Sequence, residues 1–556
     1  MHKFRRGIVI HMTKSTKNKS MLENAAILFI AMGITKVIGA VLKIPLANIL
    51  GGLGMSYFSS AYSVFSPVFA LTAAAIPIVM TKIVAQNVAA GNFKNVRKIK
   101  KVALRAAGLL GFAGTLLILI ITVPFARFIA DAPKSIPSML LIAPSVFFCC
   151  VTAVYRGYFE GLRNTLPTAL SQVIEAVVKA TLGITLSYIV LIKTSSLPYA
   201  AAAAVLGITL SEGAGLLFIF LRSFGSDGIT KEELDFSPPP ESGMSLLKKF
   251  IREAFPITLG ALAVNISSLI DLITITNCIN LAVSRNKAYF LAEFTYGLQG
   301  GVTLSDLGNF IYGSYTGIVA SLFTLIPAVT GMLSKSALPA VTAAWERCND
   351  VHITRNLKIL FKSTFVLGLP LCFGMAVLSE PVLNLLYSAK PAEAYVCAKP
   401  LFILSLGGIT LSLTGTLFSI FQAIGRADLP VKLMLAGASV KLGLNLWLLQ
   451  IPEINIAGAA IATVGCYGVI CFFGFILLAK LIKIRIGILS FFGKALVNSA
   501  VCAFTAFAGY HYIFTGFGRI FQLGFSVIAG AGVYMILTVL TDRKLLKSYW
   551  FKVKRF

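Results

Sequence analysis

Apolar residues in this chain run in long stretches separated by short polar segments. The stretches lie near 22–49, 54–90, 102–126, 136–160, 164–192, 197–222, 247–279, 307–343, 357–380, 395–424, 429–450, 454–480, 488–514 and 518–541. Each is about 20 residues or longer, the length a helix rising 1.5 Å per residue needs to cross about 30 Å of hydrocarbon. The pattern predicts an all-α polytopic membrane protein with about fourteen transmembrane helices, called spans 1–14 in chain order.

Composition agrees, because 57% hydrophobic and 13% charged residues in a 556-residue chain leave too little polar surface for a soluble protein. The net charge of +28 then needs a membrane explanation. Lys and Arg concentrate in alternate loops: Lys94–Arg105, Arg222–Arg252, Arg347–Lys358, Lys480–Arg485 and the two termini. The remaining loops hold about eight, among them Arg127, Lys134, Arg285, Lys287, Lys390 and Arg519. Under the positive-inside rule this places both termini in the cytoplasm. The charge orients the chain and attracts anionic lipid, so nucleic acid is not an expected partner.

Nine cysteines are scattered through the spans without a CxxC pair, and the four histidines form no cluster, so neither a disulfide framework nor a metal site is expected. No GxxxxGK[ST] run is present. The first apolar stretch is too long for a signal-peptide core; it stays as span 1 whether translation starts at Met1 or Met12.

The two halves of the chain repeat. Phe159-Glu160-Gly161 with Pro167 answers to Phe421-Gln422-Ala423 with Pro430, at an offset of 262 or 263 residues. The same offset pairs Pro77 with Pro339 and Lys179 with Lys441. Six spans separate equivalent points, an even number, so the repeats are parallel. The expected organisation is a cytoplasmic tail at 1–21, a six-helix lobe at 22–222, a cytoplasmic linker at 223–246, a second six-helix lobe at 247–485, two appended helices at 486–541 and a basic tail at 542–556. The pseudo-symmetric lobes would face each other across a central cavity. The linker carries Pro238-Pro239-Pro240 and reads as an exposed, partly extended tether. The connection 280–306 is open between an interfacial helix and an ordered loop.

Six lysines fall inside spans: Lys36, Lys43, Lys82, Lys179, Lys335 and Lys441. A cation at the bilayer centre costs about 2.5–3.5 kcal/mol on insertion scales, so it usually meets an anion, a cavity or a carboxylate. Lys36 and Lys43 are two helical turns apart on nearly one face, which predicts a cavity wall. Lys82 and Lys335 lie near span ends, where snorkelling suffices. Lys179 and Lys441 occupy equivalent places in the repeats. Opposing charges offer a structural alternative, since Arg156–Glu160 and Glu175–Lys179 are i, i+4 pairs able to neutralise themselves. Asp271 and Glu212 have no local cation. Asp271 must find one on another helix, bind a coupling ion or be protonated. The excess on the helices is cationic, which favours an anionic substrate.

Two runs carry a family resemblance. Thr35-Lys36-Val37-Ile38-Gly39, continuing to Lys43-Ile44-Pro45-Leu46 and Leu50-Gly51, and Arg156-Gly157-Tyr158-Phe159-Glu160-Gly161 with Pro167-Thr168-Ala169 and Ser171-Gln172-Val173-Ile174-Glu175, resemble the stage V sporulation protein B group. That group belongs to the multidrug/oligosaccharidyl-lipid/polysaccharide exporter superfamily and is similar to MurJ-type lipid II flippases. The resemblance implies a flippase of the bacterial cell membrane rather than an enzyme. Its substrate would be a polyprenyl-diphosphate-linked saccharide, either a peptidoglycan precursor or a polysaccharide repeat unit. Lys36 and Lys43, with Lys179 and Lys441, would bind the diphosphate. Arg156, Glu160, Glu175 and Asp271 would serve coupling or structure. No cofactor is implied; the membrane potential, Na+ or H+ are the candidate driving forces, and cell-wall synthesis enzymes the candidate protein partners. The chain departs from the family in carrying lysines where arginines are usual, and Tyr312-Gly313-Ser314-Tyr315 offers no cation on span 8. A multidrug cation antiporter of the same superfamily and a non-transporting envelope-assembly scaffold are the competing readings.

Overall fold

The computed structural model describes residues 21–541 apart from 225–228, 296–300, 348–349, 427 and 483–487; side chains at 21–30, 40, 231, 263–264, 332–333, 335–340, 350 and 488–491 are also outside the description. The expected N-terminal and basic C-terminal tails, and the side chain of Lys335, therefore lie outside the described residues. All regular structure among the described residues is helical. Among the described residues thirteen helices are long and apolar enough to cross a membrane. The first, Ala31–Ala89, has 59 residues, about 90 Å of helix and roughly three hydrocarbon thicknesses. It holds two of the expected spans, and the fourteen-span reading stands.

The break is at Gly51, whose φ of 63° and ψ of −176° lie where side-chain-bearing residues are strained. Within Met21–Thr72, α1 is thus 21–50 and α2 begins at 52. A turn at 73–75 interrupts α2, which resumes as Ile76–Ala89. Pro77 explains the interruption: it lacks an N–H and fits the first turn of a new helix. The other long helices are α3 (Phe93–Pro124), α4 (Ile136–Gly161), α5 (Leu166–Thr194), α6 (Leu197–Ser223), α7 (Gly243–Arg285), α8 (the broken run 307–346), α9 (Asp350–Val377), α10 (Pro391–Ala423), α11 (Asp428–Leu448), α12 (Ala457–Ile482), α13 (Ile488–Ala508) and α14 (Arg519–Thr541). Outward faces are apolar and exposed, as at Leu109, Phe112, Ile120, Phe472 and Ile528, which in a multi-pass membrane protein is the surface that meets lipid.

In the first half, α4 packs on α2, α3 and α6, and α5 packs on α6. Glycines set the close approaches. Gly157 and Gly161 of α4 lie against Pro77, Met80 and Val84 of α2, and Gly207 of α6 lies against Gly183 of α5, the small-residue contacts that helices use where lipid supplies no hydrophobic drive. In the second half α8, α9, α10 and α12 pack together, with α11 on α12, and α13 and α14 attach on the side of α9.

The ends of the bundle differ. At the basic end lie the Lys94–Arg105 and Lys248–Arg252 segments; the far end lies opposite. One apolar core runs from Leu46, Leu50 and Met55 through Ile311 and Tyr312 to Leu383, Tyr387, Leu449 and Ile456, so the halves share it at the far end. At the basic end the second half has a separate core around Leu357, Phe361, Leu417, Phe421 and Leu433. Polar groups reinforce the far-end seal. The π-helical turn Phe125–Ile129 that ends α3 leaves carbonyls exposed. Asn277, Thr276 and Asn309 of the second half donate to Ile129, Ala130 and Asp131 carbonyls at 2.8, 2.9 and 3.0 Å. Asn48 donates to the Leu386 carbonyl at 2.8 Å, and Gly52 N–H donates to Glu393 Oε1 at 2.9 Å. Lys134 pairs with Asp306 at 2.8 Å.

In the linker Pro238, Pro239 and Pro240 are exposed and outside any helix, and the residues on either side are tied down. A short helix, Lys231–Asp235, starts with a Thr230/Glu233 capping box. Ser237 then accepts from the Lys94 N–H and its carbonyl from Lys94 Nζ, both at 3.0 Å, while Glu241 N–H donates to Asn95 at 2.8 Å. The α3 start has free N–H groups and a lysine to offer, and the linker uses them. The connection after α7 contains a helix, Lys287–Glu293, anchored by buried Phe290 stacked on Phe294.

Candidate functional site

A cavity of about 600 Å³ opens in the first half. The broken part of α2 supplies Phe69, Ala73, Ala74, Pro77, Ile78 and Thr81 as one wall. Irregular backbone at membrane depth survives where it borders a cavity, so Pro77 both breaks the helix and makes the wall. The opposite wall comes from Cys149, Ala153, Arg156 and Glu160 on one stripe of α4, Gln172 and Glu175 on α5, and Glu212 on α6.

The charged groups do not pair as the i, i+4 spacing suggested. Arg156 reaches across to Glu175 of α5 in an ion pair, and its Nε donates to Ser171 Oγ at 3.0 Å. Glu160 instead accepts from Thr81 Oγ1 at 3.3 Å, and Glu212 from the Cys149 thiol at 3.3 Å. The correction has a geometric cause. Arg156 and Glu175 both line the cavity between their helices and meet there, while Glu160 turns to Thr81 of α2.

Lys179 lies beside the Tyr62 hydroxyl and within electrostatic range of Glu212 and Glu175. Lys43 of α1, half-buried, is within electrostatic range of Lys179. Lys36 is exposed on α1 two turns nearer the basic end. Sequence reasoning selected Lys43 and Lys179 separately, and the fold brings them together. It missed the charge of the site: the cavity lining sets Arg156 against Glu160, Glu175 and Glu212, an acidic excess, while Lys43 and Lys179 stand outside that lining. Counting charges helix by helix hides which of them share a space.

Lys441 does not belong to this cavity. Its Nζ is 2.6 Å from Asp271 Oδ2 and 2.9 Å from Ser267 Oγ, and its side chain is 3% exposed. α7 packs directly on α11, and two opposite charges brought face to face in a low-dielectric interior pair there. Asp271 thus has its cation on another helix, the first of the three fates open to it. Lys82 reaches out as expected, 57% exposed, and meets Glu253 of α7 at 3.1 Å. That ion pair joins the halves at the basic end.

Comparison with known proteins bears on the whole chain. Stage V sporulation protein B of Bacillus subtilis (strain 168) is 25% identical over 520 residues, 93% of this chain and 95% of that protein. The lipid II flippase MurJ of the same organism is 20% identical over 481 residues, 83% of each. Among solved structures, lipid II flippase MurJ in an inward closed conformation superposes with a TM-score of 0.67 at 15% identity, covering 94% of this chain and all of that one. An inward-facing multidrug resistance MATE transporter of the MOP superfamily gives 0.59 at 17% identity, covering 80% and 98%. These two share the fold. The family model for polysaccharide biosynthesis proteins matches residues 21–345, more than half the chain, and the stage V sporulation protein B and MurJ resemblance read from the motifs agrees with it: the chain belongs to the polysaccharide biosynthesis protein family.

Proposed function

We propose that the protein is a flippase that carries a polyprenyl-diphosphate-linked saccharide from the inner to the outer leaflet of a bacterial cell membrane by alternating access. The observation that carries this reading is the meeting of Lys43 and Lys179. Two ammonium groups from different helices lie within electrostatic range of each other at membrane depth, and neither makes an ion pair among the described residues. Such a pair is expensive without an anion between its members. A diphosphate supplies one. Glu175 and Glu212 would hold Lys179 in place while the site waits, and the arriving phosphates would displace that weaker attraction. Lys36, exposed further along α1, would meet the headgroup first.

The hydrogen bonds by which Asn277, Thr276, Asn309, Asn48 and Glu393 join the halves at the far end support a resting form closed outside, with the basic end in the cytoplasm. Loading requires the Lys82–Glu253 ion pair to part, and release requires the far-end seal to part. An inside-negative potential favours outward movement of each negative charge by about 2.3 kcal/mol per 100 mV.

The test is reconstitution into liposomes with a fluorescent polyprenyl-diphosphate sugar, comparing wild type, Lys43→Ala, Lys179→Ala and Lys82→Ala. Loss of flipping in the first two with retention in the third is expected. Equal flipping in all four removes the site, and no flipping by wild type removes the reading. A second reading is kept because Glu160, Glu175 and Glu212 all line the cavity, as a cation antiporter would require; transport of cationic drugs without lipid movement in the same liposomes selects it.

A further inference from the structure

The first-half cavity and the two lysines beside it carry opposite charge. Its lining sets Arg156 against Glu160, Glu175 and Glu212. Arg156 pairs with Glu175, which leaves two carboxylates without an ion pair among the described residues. Glu160 accepts from the Thr81 hydroxyl and Glu212 from the Cys149 thiol, both neutral donors at 3.3 Å. Glu212 and Glu175 lie within electrostatic range of Lys179, whose ammonium offsets them before a substrate arrives. A diphosphate bound at Lys43 and Lys179 takes that compensation away. Two uncompensated carboxylates at membrane depth are then costly. Beside them the buried Oε1 of Gln172, which also lines the cavity, has no hydrogen-bond partner among the described residues. An acceptor left over in this way calls for an explanation, and a donor on the substrate supplies one.

We propose that the cavity receives a cationic part of the substrate: the saccharide on the diphosphate bears a primary ammonium group, as an amino sugar or an attached amino acid does. Glu160, Glu212 and the Gln172 oxygen are the acceptors offered to it. This rests on the flippase reading and narrows its substrate class to molecules carrying both signs of charge. The volume of about 600 Å³ is within the range of sites that hold small organic ligands, so a sugar or amino-acid residue enters along with its ammonium. The wall from α2 is largely apolar, with Phe69, Ala73, Ala74 and Ile78, which lowers the local dielectric and strengthens a charge pair. Lys179 borders both the anion site and the acids, so the two sites are neighbours. A saccharide without a cation leaves two carboxylates unpaired and is carried more slowly.

The experiment gives liposomes holding the full-length protein two fluorescent polyprenyl-diphosphate saccharides that differ at one position, an ammonium in the first and a hydroxyl in the second. The hydroxyl keeps the size and a donor while removing the charge. Wild type should flip the ammonium form roughly tenfold faster, the low end of what a close buried charge pair contributes. The readout is the ratio of the two rates within each protein, which cancels any general loss of transport or of folded protein. Glu160→Gln and Glu212→Gln should each lower the ratio, and the double variant should abolish the preference. Equal rates in wild type would overturn the proposal and leave the flippase reading standing. So would a preference that the double variant keeps. A wild type that moves neither saccharide removes both. If the variants do not fold, the wild-type ratio still decides.

Discussion

Removing the Glu393 carboxylate should loosen the far end of the molecule by a calculable amount. Gly52 is the first residue after the Gly51 break, where the opening N–H groups of α2 have no partner within their own helix. Glu393 of α10, 7% exposed, accepts from that N–H at 2.9 Å, so a carboxylate of the second half caps a helix of the first at its positive end. A buried hydrogen bond to a charged acceptor contributes roughly 1.5–3 kcal/mol. Taking about 2 kcal/mol, and about 1.36 kcal/mol per tenfold, Glu393→Ala should raise the far-open population about thirtyfold. Glu393→Gln keeps an acceptor without the charge, loses about 1 kcal/mol and should raise it about fivefold. A native reporter lies one turn along α10: the Cys397 thiol, 1% exposed, donates to the Ser314 carbonyl of α8 at 3.4 Å. In a chain keeping Cys397 and replacing the other eight of nine cysteines by alanine, the rate of modification by an impermeant maleimide added at the far side measures opening. A rate for Glu393→Ala within twofold of its parent would refute the cap. Equal rates for Ala and Gln would assign all of its effect to the charge.

Gly51→Ala should accelerate the same labelling, since it forces a side chain onto a φ of 63° with its Cβ 2.8 Å from Glu393 Oε1. Arg156→Ala should lower thermal stability by about 1.5–3 kcal/mol, the contribution of a part-buried hydrogen bond between charged groups, and Arg156→Ala/Glu175→Gln should recover much of it in the same melt. Gly157→Ala brings a methyl to 2.5 Å from Met80 Cβ and 2.6 Å from the Pro77 carbonyl, and should cost about 1–3 kcal/mol by overpacking, read as a lower midpoint and slower transport. Exposure of 57% keeps the Lys82–Glu253 bridge weak. Lys82→Glu should therefore alter basic-end accessibility only a few-fold, and Lys82→Glu/Glu253→Lys should restore it, measured with a cysteine placed at Thr81.

The number, order and rough ends of the spans were legible because hydrocarbon thickness sets helix length and lipid demands apolar faces. The gap read between 49 and 54 contains the break at Gly51; the turn at 73–75 inside the second span was not legible, because an apolar run looks the same with or without it. Buried charges were legible as anomalies and illegible as pairs. Arg156 and Glu175 belong to different helices, and nothing in their spacing of nineteen residues distinguishes them from Arg156 and Glu160. The repeat located Lys179 and Lys441 at equivalent heights. Their neighbours differ because Asp271 of α7 reaches Lys441, while Lys179 meets Tyr62, Glu175, Glu212 and the incoming Lys43 of α1. Glu393 gave no signal at all, since a lone carboxylate near a helix start looks like an ordinary first-turn acid.

The unequal cores give the two ends different responses to temperature. Parting the halves at the basic end lifts Leu246 and Phe250 of α7 from Val96 and Ile99 but leaves the second core around Leu357, Phe361 and Leu417 whole, so less apolar area meets water. Parting them at the far end splits Leu46, Leu50 and Met55 from Leu383, Tyr387 and Ile456, and wetting apolar area raises the heat capacity by about 0.45 cal/K/mol per Å². A step with a positive heat-capacity change has a curved free energy. Warming and cooling both favour far-end opening, and the halves hold together most firmly at an intermediate temperature.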